Sequence, residues 1–202
     1  MNAHKPRWDD VIVASFPKCG TTWVNALTFA TMARRAYPAA GAGHPLLRLN
    51  PHQCIPFLEG LFGSRRGQAK LEALASPRLM NTHMPLAMMP RAAAPGGGGC
   101  KVVYVCREPK GGLAVALPPA AASELPFADV FEAACSGAVA YGPVWDHMLG
   151  YWSASTARPD SVLFFQYEEL LRDPAEHVRA LAWFVGLPFS GAEEDTGVQA
   201  RS

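Results

Sequence analysis

Three short runs carry residue types suited to chemistry. The first is Phe16-Pro17-Lys18-Cys19-Gly20-Thr21-Thr22-Trp23. Gly20 lets backbone N–H groups come close to an anion, Lys18 adds a full positive charge, and Thr21 and Thr22 add hydroxyl donors. A phosphate group is the ligand such an ensemble suits. The second run is Thr82-His83-Met84-Pro85, whose imidazole can take a proton from a hydroxyl near neutral pH. The third ends at Arg107, whose planar guanidinium suits two-point binding of a phosphate or carboxylate. Plainer readings stand beside these: a helix-capping loop for the first run, a surface ion pair for Arg107, and a core side chain for Trp23. The Gly-x-x-x-x-Gly-Lys-Ser/Thr spacing is absent and Lys18 precedes its glycine, which opposes a nucleoside kinase.

These residues need a frame that gathers them. Val11 to Ser15 is a short apolar run ending at Pro17 and Gly20, so it predicts a buried strand entering a tight loop. Thr21 to about Arg35 predicts a helix. Arg78 to Thr82, Lys101 to Cys106 and Val162 to Phe165 predict further strands. Helices are expected over 56–61, 69–74, 127–137 and 141–155. Asp173-Pro174-Ala175-Glu176 supplies a cap, a proline at the first helical position and a glutamate three residues after the cap. That helix stops at Gly186, and Gly191 to Ser202 shows no period. Ala92 to Gly99 reads as a glycine-rich turn. Apolar strands alternating with helices imply a parallel sheet covered on both faces. The ligand site of such a sheet lies beyond the carboxyl ends of the strands, where the Lys18 loop, His83, Arg107 and Tyr167 all fall.

The composition excludes several classes. Half of the 202 residues are hydrophobic and 17% are charged, enough apolar material for one domain with its own core. A net charge of +1 and no basic run argue against nucleic acid or a membrane surface as partner. No stretch approaches the ~20 apolar residues of a membrane span, and the N-terminus lacks the apolar core of a secretory signal. The five cysteines include no Cys-x-x-Cys pair and predict reduced thiols in a cytoplasmic protein, with no metal cluster. Of the six histidines, His83 is the candidate base. His147 is expected to pack inside a helix, and His4, His44, His52 and His177 to lie on the surface.

The octapeptide at 16–23 resembles the 5′-phosphosulfate loop of the cytosolic sulfotransferases. Thr82-His83-Met84-Pro85 and Val103 to Lys110 resemble two further elements of that family, as do Tyr141 to His147 and Val162 to Asp173, especially in plant members. The resemblance implies a single sulfotransferase domain over residues 1–202 with an α/β, P-loop-like parallel sheet and helices on both faces. It implies 3′-phosphoadenylyl sulfate as co-substrate, without a metal, and a small-molecule acceptor such as a phenol, flavonoid or steroid. It assigns catalysis to His83 and Lys18. It assigns donor binding to Lys18, Cys19, Gly20, Thr21, Thr22, Trp23, Arg107 and Tyr167, with Cys19 contributing only its backbone N–H.

The chain also departs from the family pattern. Val115 stands where a serine helps hold the 3′-phosphate, and Gly111-Gly112 replaces an acidic residue. Asn81 replaces a lysine two residues before the histidine. The C-terminal Arg-Lys-Gly-x-x-Gly-Asp-Trp element is absent, so the fold is expected to be incomplete at the C-terminus. The segment through which family members dimerise is absent with it. The alternative to an active enzyme is therefore an inactive fragment that binds nucleotide weakly or not at all.

Overall fold

The computed structural model describes residues 7–38, 41–62, 65–89, 100–108 and 127–195. The expectations for His4, the turn at Ala92 to Gly99, Gly111-Gly112 and Val115 lie outside these residues.

Four parallel strands form one sheet in the order β2-β1-β3-β4: β1 Val11–Ser15, β2 Leu79–Thr82, β3 Lys101–Cys106 and β4 Val162–Gln166. β1 pairs with both β2 and β3, Val13 lying opposite Asn81 on one side and Val103 on the other. All five residues of β1 are buried, which is why Val11 to Ala14 run continuously apolar rather than alternating. The strand order reverses direction between β1 and β3, and that switch point opens a crevice at the carboxyl ends.

Successive side chains point to opposite faces, so each strand feeds two cores. Ile12, Ala14, Val102 and Tyr104 pack with Leu58, Leu61, Leu71 and Tyr151. These partners come from α3 Leu58–Phe62, α4 Arg65–Ala73 and α6 Val144–Ala157. Val11, Val13, Val103 and Val105 pack on the other face with Val24, Leu27, Val178 and Leu181, from α1 Thr21–Ala33 and α8 Pro174–Phe184. The remaining helices are α2 Pro51–Cys54, α5 Phe127–Cys135, α7 Tyr167–Arg172 and α9 Gly191–Asp195. Among the described residues, no helix is long and apolar enough to cross a membrane.

Local chemistry explains the boundaries. The Asp173 carboxylate accepts from the Glu176 N–H at 3.0 Å and caps α8. Gly186, at φ 78°, closes it. Two expectations shift, and one helix appears where none was expected. The helix expected from Tyr141 begins at Val144, because Tyr141 and Gly142 take positive φ values of 72° and 79° and Pro143 occupies the cap. The segment from Gly191 holds α9, whose Glu193 binds the buried Arg34 at 2.8 Å. That guanidinium holds the Glu193 carboxyl well down, at about 2. Asn50 and Gln53 form a reciprocal capping box that creates α2, an element the apolar pattern does not reveal because none of its residues is fully buried.

Candidate active site

β1 delivers the chain into the loop at 16–20, and α1 leads away from it. Lys18 adopts φ 65° and Gly20 φ 100°, so the loop turns back on itself within three residues. No side chain caps the N-terminus of α1. The Trp23 and Val24 amides both bond to the Gly20 carbonyl at 3.1 Å, so the amides ahead of Trp23 and the partial positive charge of the helix start are what a ligand would meet. Lys18 is exposed and forms no ion pair among the described residues, whereas Cys19 is buried. Burial pushes the Cys19 thiol up to about 11, so it stays protonated at neutral pH and is no nucleophile. Thr21 turns inward, its hydroxyl 2.5 Å from that of Ser15, and Thr22 faces outward. The loop chemistry fits a phosphate: an uncapped helix start, a glycine without Cβ, a cation and an outward hydroxyl.

Tyr167, the first residue of α7, closes the far side of this loop. A Cβ added at Gly20 would lie 2.5 Å from the Tyr167 ring, so the contact requires glycine independently of its φ. The Trp23 ring meets Tyr167 edge-on at 5.7 Å, and the Arg107 guanidinium lies 4.9 Å above the Tyr167 ring. One aromatic ring thus gathers the ends of β3 and β4 and the start of α1. Trp23 is half-buried against the α1–α8 core.

His83 follows β2 at the same end of the sheet. Its Nδ1 lies 2.8 Å from the Ser15 carbonyl oxygen, which can only accept, so Nδ1 carries the proton. Nε2 then keeps its lone pair in the neutral ring, the state a general base needs. The peptide of His83 is fixed from both sides. Its N–H donates to Glu59 at 2.7 Å and its carbonyl accepts from His147 Nε2 at 3.0 Å. His147 Nδ1 accepts in turn from the buried Tyr104 hydroxyl at 2.9 Å. Burial lowers the His147 pKa, in keeping with a neutral ring that donates at one nitrogen and accepts at the other. Beyond His83 lies a cavity of about 510 Å³, whose lining includes Met84, Leu86, Met88, Tyr141, His147 and Glu59.

The sulfotransferase domain matches the chain over residues 8–201. The chain belongs to this family. It is 38% identical over 204 residues to cytosolic sulfotransferase 5 of Arabidopsis thaliana, covering 98% of the chain and 62% of that protein. It thus spans less than two thirds of the length of that relative. A crystal structure of an Arabidopsis thaliana sulphotransferase superposes with a TM-score of 0.84 at 37% identity, covering 98% of this chain and 68% of the other. A mouse sulfotransferase complexed with PAP shares the fold at a TM-score of 0.70 and 24% identity, covering 98% of this chain and 65% of its own.

In this sulfotransferase domain the sequence-derived candidates converge at one end of the sheet. Lys18, Gly20, Thr22, Trp23, Tyr167 and Arg107 surround or adjoin the loop, and His83 is tied to it through Ser15. Three histidines depart from expectation, His177 among them, half-buried with its ring 5.4 Å from that of Phe165. His44 is buried and caps a short turn of helix. His52 is half-buried and hydrogen-bonded to Thr22 at 3.0 Å. Sequence reasoning also missed Glu59, Tyr104 and the supporting role of His147. Their partners are 24, 43 and 64 residues away in the chain, so no local spacing signals them. Among the described residues no group of three His, Cys, Asp or Glu side chains is placed to hold a metal.

Proposed function

We propose that this chain is a sulfotransferase that moves a sulfuryl group from 3′-phosphoadenylyl sulfate to a hydroxyl of a small, largely apolar acceptor. The observation that carries the reading is the bond between His83 Nδ1 and the Ser15 carbonyl. It holds the His83 ring beside the strand end that enters the loop and leaves Nε2 as the unprotonated nitrogen, which supports a role as base.

His83 Nε2 takes the proton of the acceptor hydroxyl as its oxygen bonds to sulfur. The sulfur–oxygen bond to the donor's 5′-phosphate breaks in line, and its electron pair stays on that phosphate oxygen. Lys18 faces this growing negative charge, a placement that stabilises the transition state. The Thr22 hydroxyl and the Gly20 amide hold the 5′-phosphate, Arg107 serves the 3′-phosphate, and Trp23 and Tyr167 flank the nucleotide. The Thr21 hydroxyl is engaged with Ser15 and the Cys19 N–H donates to the Phe16 carbonyl at 3.3 Å, so neither group adds a contact to the anion. Positioning supplies much of the rate, as in loose phosphoryl transfer. The PAP complex of the mouse relative supports the donor, and the apolar lining of the 510 Å³ cavity supports the acceptor class. The cytosolic naming of the plant relative supports a cytoplasmic setting.

The test incubates purified protein with the donor and a panel of phenols, flavonoids, steroids and hydroxylated acids. Sulfated product that disappears in Lys18→Ala is expected. No transfer to any acceptor by folded protein would count against the reading. Phosphate transfer from ATP, lost in Lys18→Ala, would replace it with a kinase.

A further inference from the structure

The hydroxyl of Thr22 faces outward at the start of α1, and its described partner is His52 Nε2 at 3.0 Å. His52 belongs to α2, whose backbone is pinned by the Asn50–Gln53 capping box. Its ring stacks on Phe57, with centroids 5.4 Å apart and planes 9° from parallel. Phe57 in turn lies 5.3 Å from the His83 ring. Among the described residues, His52 Nδ1 is buried and meets no hydrogen-bond partner. A buried N–H with no acceptor is rarer in folded proteins than an acceptor with no donor. The proton of the neutral ring therefore belongs on Nε2. Burial, followed by the nearby His83, lowers the His52 pKa and keeps the ring neutral near pH 7.

We propose that His52 is a positioning residue of the anion loop: its Nε2–H donates to Thr22 Oγ1, so that the Thr22 hydroxyl proton is free to point at the donor's 5′-phosphate. With the opposite tautomer, the hydroxyl proton would be spent on His52 and the anion would face a lone pair. The proposal rests on the donor reading above and extends it to a residue that lies about 30 positions beyond the loop.

Calorimetry with 3′-phosphoadenosine 5′-phosphate tests it, with Thr22→Val, His52→Phe and His52→Gln as variants. His52→Phe keeps a ring over Phe57 but removes the donor, and should weaken binding about tenfold, the scale of one charge-assisted hydrogen bond. His52→Gln, whose amide N–H can replace Nε2–H, should recover affinity to within about threefold of wild type. In a Thr22→Val background, His52→Phe should change affinity by less than about twofold, because the two residues act as one unit. Wild-type affinity in His52→Phe, or an equal loss in both backgrounds, would overturn the proposal. Nitrogen NMR of the histidine rings decides the tautomer without nucleotide. Nε2–H at His52 is expected beside Nδ1–H at His83, and Nδ1–H at His52 would sink the idea. A wild-type chain that binds no nucleotide would fail the donor reading itself, and the NMR result would then decide the hydroxyl's orientation alone.

Discussion

At the scale of single residues, Lys18 and His83 are assigned different duties and should fail differently. Lys18 is exposed and supports no packing, so Lys18→Ala should leave the fold intact. Transfer should fall by about 10²–10³-fold, the cost of removing one group that meets developing charge. His83→Asn removes the proposed base, and kcat should drop by about 10²–10⁴-fold while nucleotide affinity stays near wild type. Kinetics and calorimetry on the same preparations separate the two. Gly20 is constrained twice, by its φ of 100° and by the Tyr167 ring where a Cβ would stand. Gly20→Ala should cost about 1–3 kcal/mol in denaturant unfolding and weaken nucleotide binding, because Tyr167 must move away. The glycine's conformational need can be guessed from a tight turn. Its contact with a ring 147 residues later cannot.

At the scale of elements, a hydrogen-bonded line ties β3 and α6 to the end of β2: Tyr104 to His147 to the His83 carbonyl. His147→Phe would strand a buried hydroxyl and a carbonyl, and should cost about 2–5 kcal/mol. The lowered His147 pKa sets a pH dependence. The folded state resists protonation, while the unfolded chain accepts it near the ordinary value of 6.5. Stability is therefore fully present above about 6.5 and falls as pH drops below it toward the folded pKa. Melting curves at pH 7.5 and 5.5 should show this loss, and His147→Gln should reduce it. The sequence places His147 in a helix and predicts a packing role. It does not tell which carbonyl the ring serves, because that depends on how α6 crosses the sheet.

At the scale of the whole molecule, a buried ion pair fastens the end opposite the site. Arg78 and Asp10 meet through two contacts of 2.7 and 2.5 Å, and both are almost wholly buried. They join the starts of β2 and β1. Arg78→Met would leave the Asp10 charge buried and unpaired, and unfolding stability should fall by about 3–5 kcal/mol. The resulting disturbance should reach the loop at 16–20 only through β1, so nucleotide affinity of the folded fraction should change little. The sequence by itself determined the four strands, the loop at 16–20, the candidate base and the family, because these rest on local apolar runs, breaker residues and contiguous motifs. Only the tertiary structure decided the strand order, the tautomer of His83, and the contacts that bring His52, Glu59 and Tyr104 to the candidate residues and their supports. Those facts depend on contacts between segments tens of residues apart, and no local spacing encodes which carbonyl or hydroxyl a distant ring will meet.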